Sequence, residues 1–472
     1  MNGTDLIALS PLIVLGAAAV AVMLSIAWRR SHTLSAAVAA VGLGATLAVL
    51  PWASSVTPRQ VTALLVVDGY ALFYTALLCA ASLAVVLLAY SYFERRGGQR
   101  EELYLLLLLA TFGSVVLVGA THFATLFLGL EVLSVSLYAL VAYPRAKRRS
   151  IEAGLKYLIL AAASSAFLLF GMALIYAATG SLELAAAASL AGGSGGVLTL
   201  AGLGLMMTGV GFKLALVPFH LWTPDVYEGA PAPVTAFIAT VSKGGMFALV
   251  LRFFLAAGGR DSSLFLVLSL IAVASMLVGN LLALLQDNLK RLLAYSSIAH
   301  LGYLLVALLA GGDFAAEAAT YYLVAYFVTI LGAFGVVSAL SGAETEPEAV
   351  TDYRGLFWQR PWVAAIFTAV LLSLAGIPLT AGFLGKFYVL VAGVDKALWV
   401  LVLALVINSA IGLFYYLRVV VAMLSPEEEA AGVRVPALAG AVLAVLTVLV
   451  IWFGVYPATL VGWIQTAVSG LL

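Results

Sequence analysis

Charged side chains inside long apolar stretches are the residues of this sequence whose type and position could do chemistry. Glu131, Lys213, Lys243 and Lys386 each lie within an apolar run. A charge at the centre of a bilayer costs about 2.5–3.5 kcal/mol on insertion scales, so such residues are rare and mark functional sites. One carboxylate cannot neutralise three lysines, so some of these lysines must rest in hydrated cavities or be neutral part of the time. The set therefore predicts groups that take up and pass on protons.

Two histidines and two further lysines extend this set. His220 and His300 are either proton relays, since imidazole both donates and accepts a proton near neutral pH, or satisfied interior side chains. Lys156 lies near the start of its apolar run, where a lysine is either functional or snorkels to the membrane surface. Lys290 stands beside Arg291 in a predicted loop and is expected to be solvated. For any single intramembrane charge, the alternative to proton transfer is a structural ion pair.

Prolines and glycines beside two of the lysines predict interrupted helices. The breakers that follow Lys213 are Pro218, Pro224, Pro231 and Pro233, and those that precede Lys386 are Gly376, Pro378 and Gly382. Broken backbone at membrane depth is tolerated only where it is buried in protein or lines a hydrated cavity. Paired interruptions in the two halves of a chain are a pointer to a transport site. We therefore expect one discontinuous helix in each half.

The elements that must position these residues are membrane-spanning helices. The chain has 472 residues, of which 64% are hydrophobic and 10% charged, and its mean hydropathy is +1.14. Ordinary soluble domains are roughly 45–50% apolar and 25% charged, so a soluble fold is excluded. The apolar windows predict an all-α integral membrane protein with about 14 transmembrane helices. These are expected near residues 5–28, 33–52, 69–92, 103–120, 122–142, 153–178, 197–217, 231–257, 263–286, 291–310, 315–340, 361–393, 396–423 and 435–460.

The distribution of basic residues predicts the orientation of the chain. An even number of spans places both termini on one side, and cytoplasmic loops carry the excess of lysine and arginine. One set of alternate loops holds fifteen of them, namely Arg29, Arg30, Arg95, Arg96, Arg100, Arg145, Lys147, Arg148, Arg149, Lys290, Arg291, Arg354, Arg360, Arg418 and Arg434, and the opposite loops hold four, namely Arg59, Arg252, Arg260 and Lys396. Acidic residues also concentrate in loops, including Glu344, Glu346, Glu348, Asp352 and the run Glu427, Glu428 and Glu429. Both termini are therefore expected to face away from the cytoplasm.

The order of the spans divides the chain into four segments. Residues 1–102 are expected to form an N-terminal three-helix segment, and residues 424–472 a C-terminal helix. Between them, residues 103–257 and residues 258–423 are each expected to form a five-helix half-channel. Many transporters are built from two such halves related by inverted topology. We therefore predict two inverted five-helix repeats, each with one discontinuous helix.

Composition also limits the cofactors and partners of this chain. A net charge of +1 gives no electrostatic reason to expect a nucleic-acid partner. The single cysteine and the four scattered histidines do not supply the ligands of an iron–sulfur cluster or a zinc site. We therefore expect no metal and no redox cofactor in this chain. The first apolar run lacks the positively charged n-region of a signal peptide and is expected to remain as a span.

Three stretches of the sequence resemble a known family. They are KLALVPFHLWTPDVYEGAPAPVTAFIATVSKGG, LLALLQDNLKRLLAYSSIAHLGY and GIPLTAGFLGKFYVL. They resemble the antiporter-like subunits of respiratory complex I, the NADH:quinone oxidoreductase, and the similarity extends over nearly the whole chain. A lysine rather than a glutamate at Lys386, and a chain that ends soon after its last predicted span, favour the branch of this family without a long lateral helix.

The resemblance implies a role for each intramembrane charge. Glu131 and Lys213 would be the acid–lysine pair of the first half-channel. Lys243 would be the central lysine and Lys386 the terminal lysine of the second half-channel. Protons would come from the cytoplasm, cross laterally through Lys243 and His300, and leave near Lys386.

The resemblance also implies partners and a location. Lys156 and Lys290 match positions that the family treats as functional, which for Lys290 conflicts with the solvated loop expected from the sequence alone. The chain would lie in a bacterial inner membrane among other membrane-arm subunits of complex I, including other antiporter-like subunits. NADH, FMN, iron–sulfur clusters and quinone would be bound by partner subunits, and quinone reduction there would drive the protons.

Three other functions stay open at this point. The nearest is a subunit of an Mrp-type sodium/proton antiporter, which is similar across the same helices. The second is a solute/proton symporter, although its substrate pocket would need more polar and aromatic groups than lie near Lys213 and Lys386. The third is a structural membrane protein whose buried charges only specify helix packing.

Overall fold

Nearly all of the described chain is α-helical, as the composition predicts. The computed structural model describes residues 2–191, 196–257, 264–426 and 435–469. The first helices are α1 (Gly3–Ala8), α2 (Ser10–Trp28), α3 (His32–Ser54), α4 (Gly69–Glu94), α5 (Glu102–Val118), α6 (Phe123–Val141), α7 (Arg148–Thr179) and α8 (Leu184–Ala191). Two short strands, β1 (Arg59–Thr62) and β2 (Leu65–Val67), pair antiparallel between α3 and α4. The apolar pattern does not predict this hairpin.

The middle and the end of the chain continue as helices. These are α9 (Val197–Leu214), α10 (Trp222–Gly229), α11 (Ala232–Phe237), α12 (Lys243–Ala256), α13 (Phe265–Leu284), α14 (Leu289–Ala310), α15 (Asp313–Leu340), α16 (Leu356–Gln359), α17 (Pro361–Ala375), α18 (Ala381–Asp395), α19 (Trp399–Leu424), α20 (Ala437–Val455) and α21 (Ala458–Val468). A π-helical turn (Ile238–Ser242) joins α11 to α12, and a 3₁₀ turn (Val350–Tyr353) precedes α16. Arg260, Arg434 and the run Glu427, Glu428 and Glu429 lie outside the described residues.

The membrane-spanning helices agree closely with the apolar windows. Within the described ranges, twelve helices are long and apolar enough to cross a membrane, with α11, the π turn and α12 forming one of them. The other two predicted spans correspond to α5, which has 17 residues, and to the broken pair α17 and α18. The chain is therefore a multi-pass membrane protein. The inverted relation between its two halves stays a prediction.

Two helices are discontinuous, as the proline and glycine pattern predicts. Helix α9 ends at Leu214, Ala215 adopts a left-handed φ of 59°, and α10 begins only at Trp222. Helix α17 ends at Ala375, Gly376 has φ of 87°, and α18 begins at Ala381. Each break leaves carbonyl groups at the end of a helix without intrahelical partners. These carbonyls must find other donors inside the membrane.

The helices that carry the central ionisable residues lie in the middle of the bundle. The span made of α11, the π turn and α12 is 100% buried over its most apolar window, and α14 and α15 are each 94% buried. By contrast, α2, α3 and α7 are each 33% buried and form part of the periphery. Most residues of α12 and α14 are therefore buried within the protein, where an unpaired charge is most costly.

Candidate functional site

Lys213 lies in the last turn of α9, next to the first break. Its side chain is 3% exposed, and Nζ donates to Ser134 Oγ at 3.0 Å and to the Tyr157 hydroxyl at 3.3 Å. Tyr157 in turn stacks on Trp222, at the start of α10, with 4.7 Å between the ring centroids. The two sides of the broken helix thus meet at one tyrosine.

Glu131 lies in α6, one turn before Ser134, and is partly exposed. It accepts a hydrogen bond from the Ser165 hydroxyl at 2.6 Å. Among the described residues Glu131 has no cation within 4.0 Å, so the expected acid–lysine pair is not in direct contact. Instead, Glu131 is bound to Ser165 of α7, whereas Lys213 is bound to Ser134 of α6 and Tyr157 of α7.

Lys243 begins α12, directly after the π turn, and is 1% exposed. Its Nζ donates to Ser297 Oγ at 2.7 Å and lies 5.4 Å from the centre of the Tyr227 ring. Ser297 also accepts from the Tyr326 hydroxyl at 2.7 Å. Since both lone pairs of this serine oxygen are then occupied, its own hydrogen points to the Tyr227 hydroxyl at 3.3 Å. Ser297 therefore hydrogen-bonds to three groups, namely the Lys243 ammonium and the hydroxyls of Tyr326 and Tyr227.

His300 follows Ser297 by one turn of α14 and is 4% exposed. Its Nδ1 lies 2.6 Å from the Tyr322 hydroxyl and its Nε2 lies 3.1 Å from the Tyr416 hydroxyl. Neutral imidazole donates at one ring nitrogen and accepts at the other, so one tyrosine donates to His300 and the other accepts from it. A change of tautomer reverses both bonds, which is the geometry that a proton relay needs.

Lys386 lies in α18, after the second break, and is 7% exposed. Its Nζ donates to the carbonyl oxygens of Leu374 and Ala375, both at 2.9 Å, and to Ser409 Oγ at 2.8 Å. All three ammonium hydrogens thus have acceptors. The ammonium also lies 5.3 Å from the centre of the Tyr303 ring, which packs edge-on against His300.

His220 lies in the segment between α9 and α10 and is 6% exposed. Its Nδ1 is buried and has no hydrogen-bond partner in the part of the chain that the structure describes. A buried polar atom without a partner is costly, and such atoms often mark an internal water or a functional group. The relay role of His220 therefore stays a prediction.

Lys156 is not buried in the membrane interior. Its side chain is 45% exposed, and Nζ lies 2.8 Å from Glu152 Oε1 and 2.8 Å from Asp225 Oδ2. In the single chain the structure favours the snorkelling alternative for Lys156, and its functional role stays a prediction. Helix α7 begins at Arg148, so Lys156 lies only two turns inside it and reaches two surface carboxylates.

Lys290 is not solvated. It lies in the first turn of α14, its side chain is 1% exposed, and Nζ lies 3.2 Å from Glu346 Oε1. Nζ also donates to the carbonyl oxygen of Ala230 at 2.7 Å. The solvated loop predicted from the neighbouring Arg291 is wrong because α14 begins at Leu289 and the segment before the 3₁₀ turn folds over the helix start.

Sequence reasoning missed the uncharged residues that hold these groups. Ser134, Ser297, Tyr322 and Tyr416 each bind one of the ionisable side chains. Hydroxyl residues are common in membrane helices, so their type alone gives no signal. The spacing in YSSIAHLGY does, because Ser297 and His300 stand one turn apart and therefore share one face of the helix. Within the described ranges, no group of three or more His, Cys, Asp or Glu could hold a metal ion.

The fold and the line of buried charges define an antiporter-like membrane protein. A family model described as "NADH:quinone oxidoreductase/Mrp antiporter, TM" matches residues 120–412. The match covers more than half of the sequence, so the chain belongs to this family.

A curated relative from one branch of the family matches nearly the whole chain. The chain is 53% identical over 471 residues to the NADH-quinone oxidoreductase subunit N of Methylococcus capsulatus (strain ATCC 33009 / NCIMB 11132 / Bath), covering 98% of this chain and 95% of the relative. This confirms the family resemblance that the three stretches carry, at the level of subunit N.

Solved structures agree with this placement. A chain of respiratory complex I from Thermus thermophilus with bound aureothin is 34% identical, with a TM-score of 0.83 over 96% of this chain and 98% of that chain. A chain of the Mrp complex from Dietzia sp. DQ12-45-1b has a TM-score of 0.86 over 100% of this chain and 98% of that chain, at 21% identity. At that identity the Mrp likeness shows a shared fold alone.

Proposed function

We propose that this chain is a proton-translocating membrane-arm subunit of a NADH:quinone oxidoreductase. The observation that carries the proposal is the set of four ionisable groups, Lys213, Lys243, His300 and Lys386, each less than a tenth exposed and each bound to hydroxyl groups within a membrane bundle. Such groups are costly unless they are used. The identity to a subunit N supports the parent complex.

In the first half, Lys213 takes up a proton and Glu131 sets its affinity for that proton. The negative charge of Glu131 favours the protonated lysine when the two side chains approach, and less so when they separate. The present arrangement, with Glu131 bound to Ser165 and Lys213 bound to Ser134, is the separated state. In it, Lys213 releases its proton toward the centre of the bundle.

In the second half, the proton moves from Lys243 toward Lys386. Lys243 gives its proton to the hydroxyl groups joined at Ser297 and takes the next one from the first half. His300 accepts a proton at one ring nitrogen and releases one at the other, in the direction of Lys386. Lys386 releases the proton on the non-cytoplasmic side. Each step moves one proton and no electron.

The energy for these steps comes from outside this chain. NADH, FMN, iron–sulfur clusters and quinone are bound by partner subunits, and quinone reduction there drives the charge movements. The complex lies in a bacterial inner membrane, with both termini of this chain on the non-cytoplasmic side. A cysteine at Lys147 should then react with a membrane-impermeant thiol reagent in inside-out vesicles only, and reaction in right-side-out vesicles alone would reverse the orientation.

Purification of the tagged chain from its native membrane tests the parent complex. We expect flavin and iron–sulfur subunits to co-purify, together with NADH:quinone reductase activity. Recovery with small antiporter proteins alone would instead favour an Mrp-type function. In the purified complex, Lys243→Met should leave assembly intact and lower NADH-driven proton translocation by about tenfold, which corresponds to about 1.4 kcal/mol on one transfer step. Full translocation in an assembled Lys243→Met complex would refute the role of the central lysine.

A further inference from the structure

A polar cavity of about 240 Å³ opens at the end of the bundle where α7 and α14 begin. We call it the vestibule, and the residues that define it are Arg149, Glu228, Glu348, Lys290 and Glu346. Arg149 and Glu348 are 59% and 36% exposed and form its mouth. Lys290 and Glu346 are 1% and 5% exposed and form its floor. The vestibule therefore connects the surface to a buried ion pair.

The pair at the floor is held from two sides. Lys290 Nζ lies 3.2 Å from Glu346 Oε1 and donates to the carbonyl oxygen of Ala230 at 2.7 Å. Glu346 also accepts from the Tyr92 hydroxyl at 2.8 Å. Replacing a buried ion pair by well-packed apolar residues of similar volume is often neutral for stability, so the burial of this pair is weak evidence for a purely stabilising role.

The floor differs in chemistry from the mouth. At the mouth, Glu228 and Glu348 both pair with Arg149, at 3.2 and 2.6 Å. A guanidinium group cannot be deprotonated in a protein, so Arg149 cannot give up a proton. At the floor both partners, an ammonium and a carboxylate, can gain and lose a proton. Both members of the Lys290–Glu346 pair can therefore take up and release protons in turn.

The floor of the vestibule also lies at the start of α14, the helix that carries Ser297 and His300. Lys290, Ser297 and His300 all belong to α14, and Ser297 follows Lys290 by two turns, about 10 Å along the axis. Ser297 is the residue to which Lys243 donates. Helix α10 also connects the floor to Ser297. Its Tyr227 contacts Ser297, and its C-cap residue Ala230 accepts from Lys290.

We propose that the vestibule is the aqueous proton entrance of this chain and that Lys290 and Glu346 form its loading pair. The proposal rests on the proposed function and assigns a second place of uptake, which supplies the hydroxyl groups at Ser297 in addition to the route through Glu131 and Lys213. The Lys290 ammonium gives one proton inward, through water and the Ser297 hydroxyl, and becomes a neutral amine. Glu346 takes one proton from vestibule water and passes it to that amine, which restores the carboxylate and the ammonium.

The decisive variant is Lys290→Arg, compared with Glu346→Gln and with the control Glu344→Gln, which alters an exposed carboxylate two residues away. Arginine keeps the charge and the pair with Glu346 but cannot give up a proton. NADH-driven acidification of inside-out vesicles, NADH:quinone activity and assembly on native gels are measured. We expect Lys290→Arg and Glu346→Gln to lower proton translocation by severalfold but less than Lys243→Met, because the first half still supplies Lys243, and Glu344→Gln to match the unmodified complex.

Each outcome decides between loading pair and structural pair. Normal translocation in an assembled Lys290→Arg complex would overturn the proposal, because only a structural pair tolerates that change. If the single variants fail to assemble, the double variant Lys290→Met with Glu346→Gln decides, since loss of translocation supports the entrance and normal translocation rejects it. If Lys243→Met loses proton translocation while the Lys290 and Glu346 variants translocate normally, only the proposed entrance is rejected. If Lys243→Met itself translocates protons normally, the proposed function is rejected.

Discussion

The two broken helices hold their lysines in different ways. In the first, Lys213 lies on the helix before the break and donates to two side-chain hydroxyl groups on α6 and α7. In the second, Lys386 lies on the helix after the break and donates to the carbonyl oxygens of Leu374 and Ala375 and to Ser409. One lysine therefore depends on side chains that can rotate, and the other depends mainly on fixed backbone.

A carboxylate makes the second difference between the two sites. Glu131 lies one turn from the Ser134 that binds Lys213. In the part of the chain that the structure describes, Lys386 has no carboxylate within 4.0 Å, and its ammonium instead faces the negative end of the α17 dipole. A carboxylate can move or be neutralised, whereas a helix end cannot. Under the proposed function, the first half therefore adjusts its affinity for protons, whereas the second half offers a constant environment.

Neutralising Glu131 should give the largest effect, because it removes the adjustable charge. We expect Glu131→Gln to assemble normally and to lower NADH-driven proton translocation by about tenfold. Ser165→Ala is the matched control, since it removes the hydrogen bond to Glu131 but keeps the charge, and its effect should be smaller. Equal losses in the two variants, or full translocation in Glu131→Gln, would remove the distinction between the halves.

A substitution at Gly376 should disturb the second half through its fixed backbone. Gly376→Ala places a side chain at φ of 87°, and its Cβ would lie 2.9 Å from Lys386 Cδ. We expect a stability loss of about 1–2 kcal/mol from the left-handed conformation, together with reduced translocation because Lys386 is displaced. Gly180→Ala carries similar strain, at φ of 67°, with no atom within 4 Å. It should lower thermal stability without lowering translocation. Equal loss of translocation in both variants would mean that backbone strain, and not displacement of Lys386, causes the effect.

Removing one hydroxyl acceptor from each lysine should give the smallest effect and the finest test. Ser134→Ala leaves Lys213 with Tyr157 as its acceptor, whereas Ser409→Ala leaves Lys386 with two carbonyl oxygens. A hydrogen bond is worth about 1 kcal/mol net, so Ser134→Ala should change the translocation rate by about fivefold. Ser409→Ala should change it less. The same rate change in both variants would mean that the two carbonyl acceptors do not make the environment of Lys386 more constant than that of Lys213.

Much of the fold could be predicted from the sequence, since apolar windows are set by the bilayer itself. The window at 291–310 corresponds to α14 (Leu289–Ala310), and the breaks beside Lys213 and Lys386 follow from proline and glycine, which cannot continue a regular helix there. The π turn before Lys243 could not be predicted, because no local residue type requires it. It depends on how α11 and α12 pack in the bundle.

The candidate site was predictable where burial follows from the surrounding apolar run, and not where it depends on distant chain. Lys243 lies in a run of apolar and small residues, so its burial could be expected from the surrounding sequence. Lys290 is buried because Glu346, 56 residues later, folds onto it, and no local pattern reports that contact. Lys156 could have been recognised as a surface residue, since Glu152 precedes it by four residues and forms an ion pair along the helix.

The contacts of Lys386 make one side chain serve two purposes. The carbonyl groups of Leu374 and Ala375 belong to the last turn of α17, which has no continuing helix to supply their donors. The lysine ammonium is therefore the cap of that helix as well as, under the proposed function, a proton carrier. A lysine that swings away to deliver its proton leaves the end of α17 open. Under the proposed function, release of the proton from Lys386 and loosening of the last turn of α17 then occur together, so proton release is coupled to a conformational change.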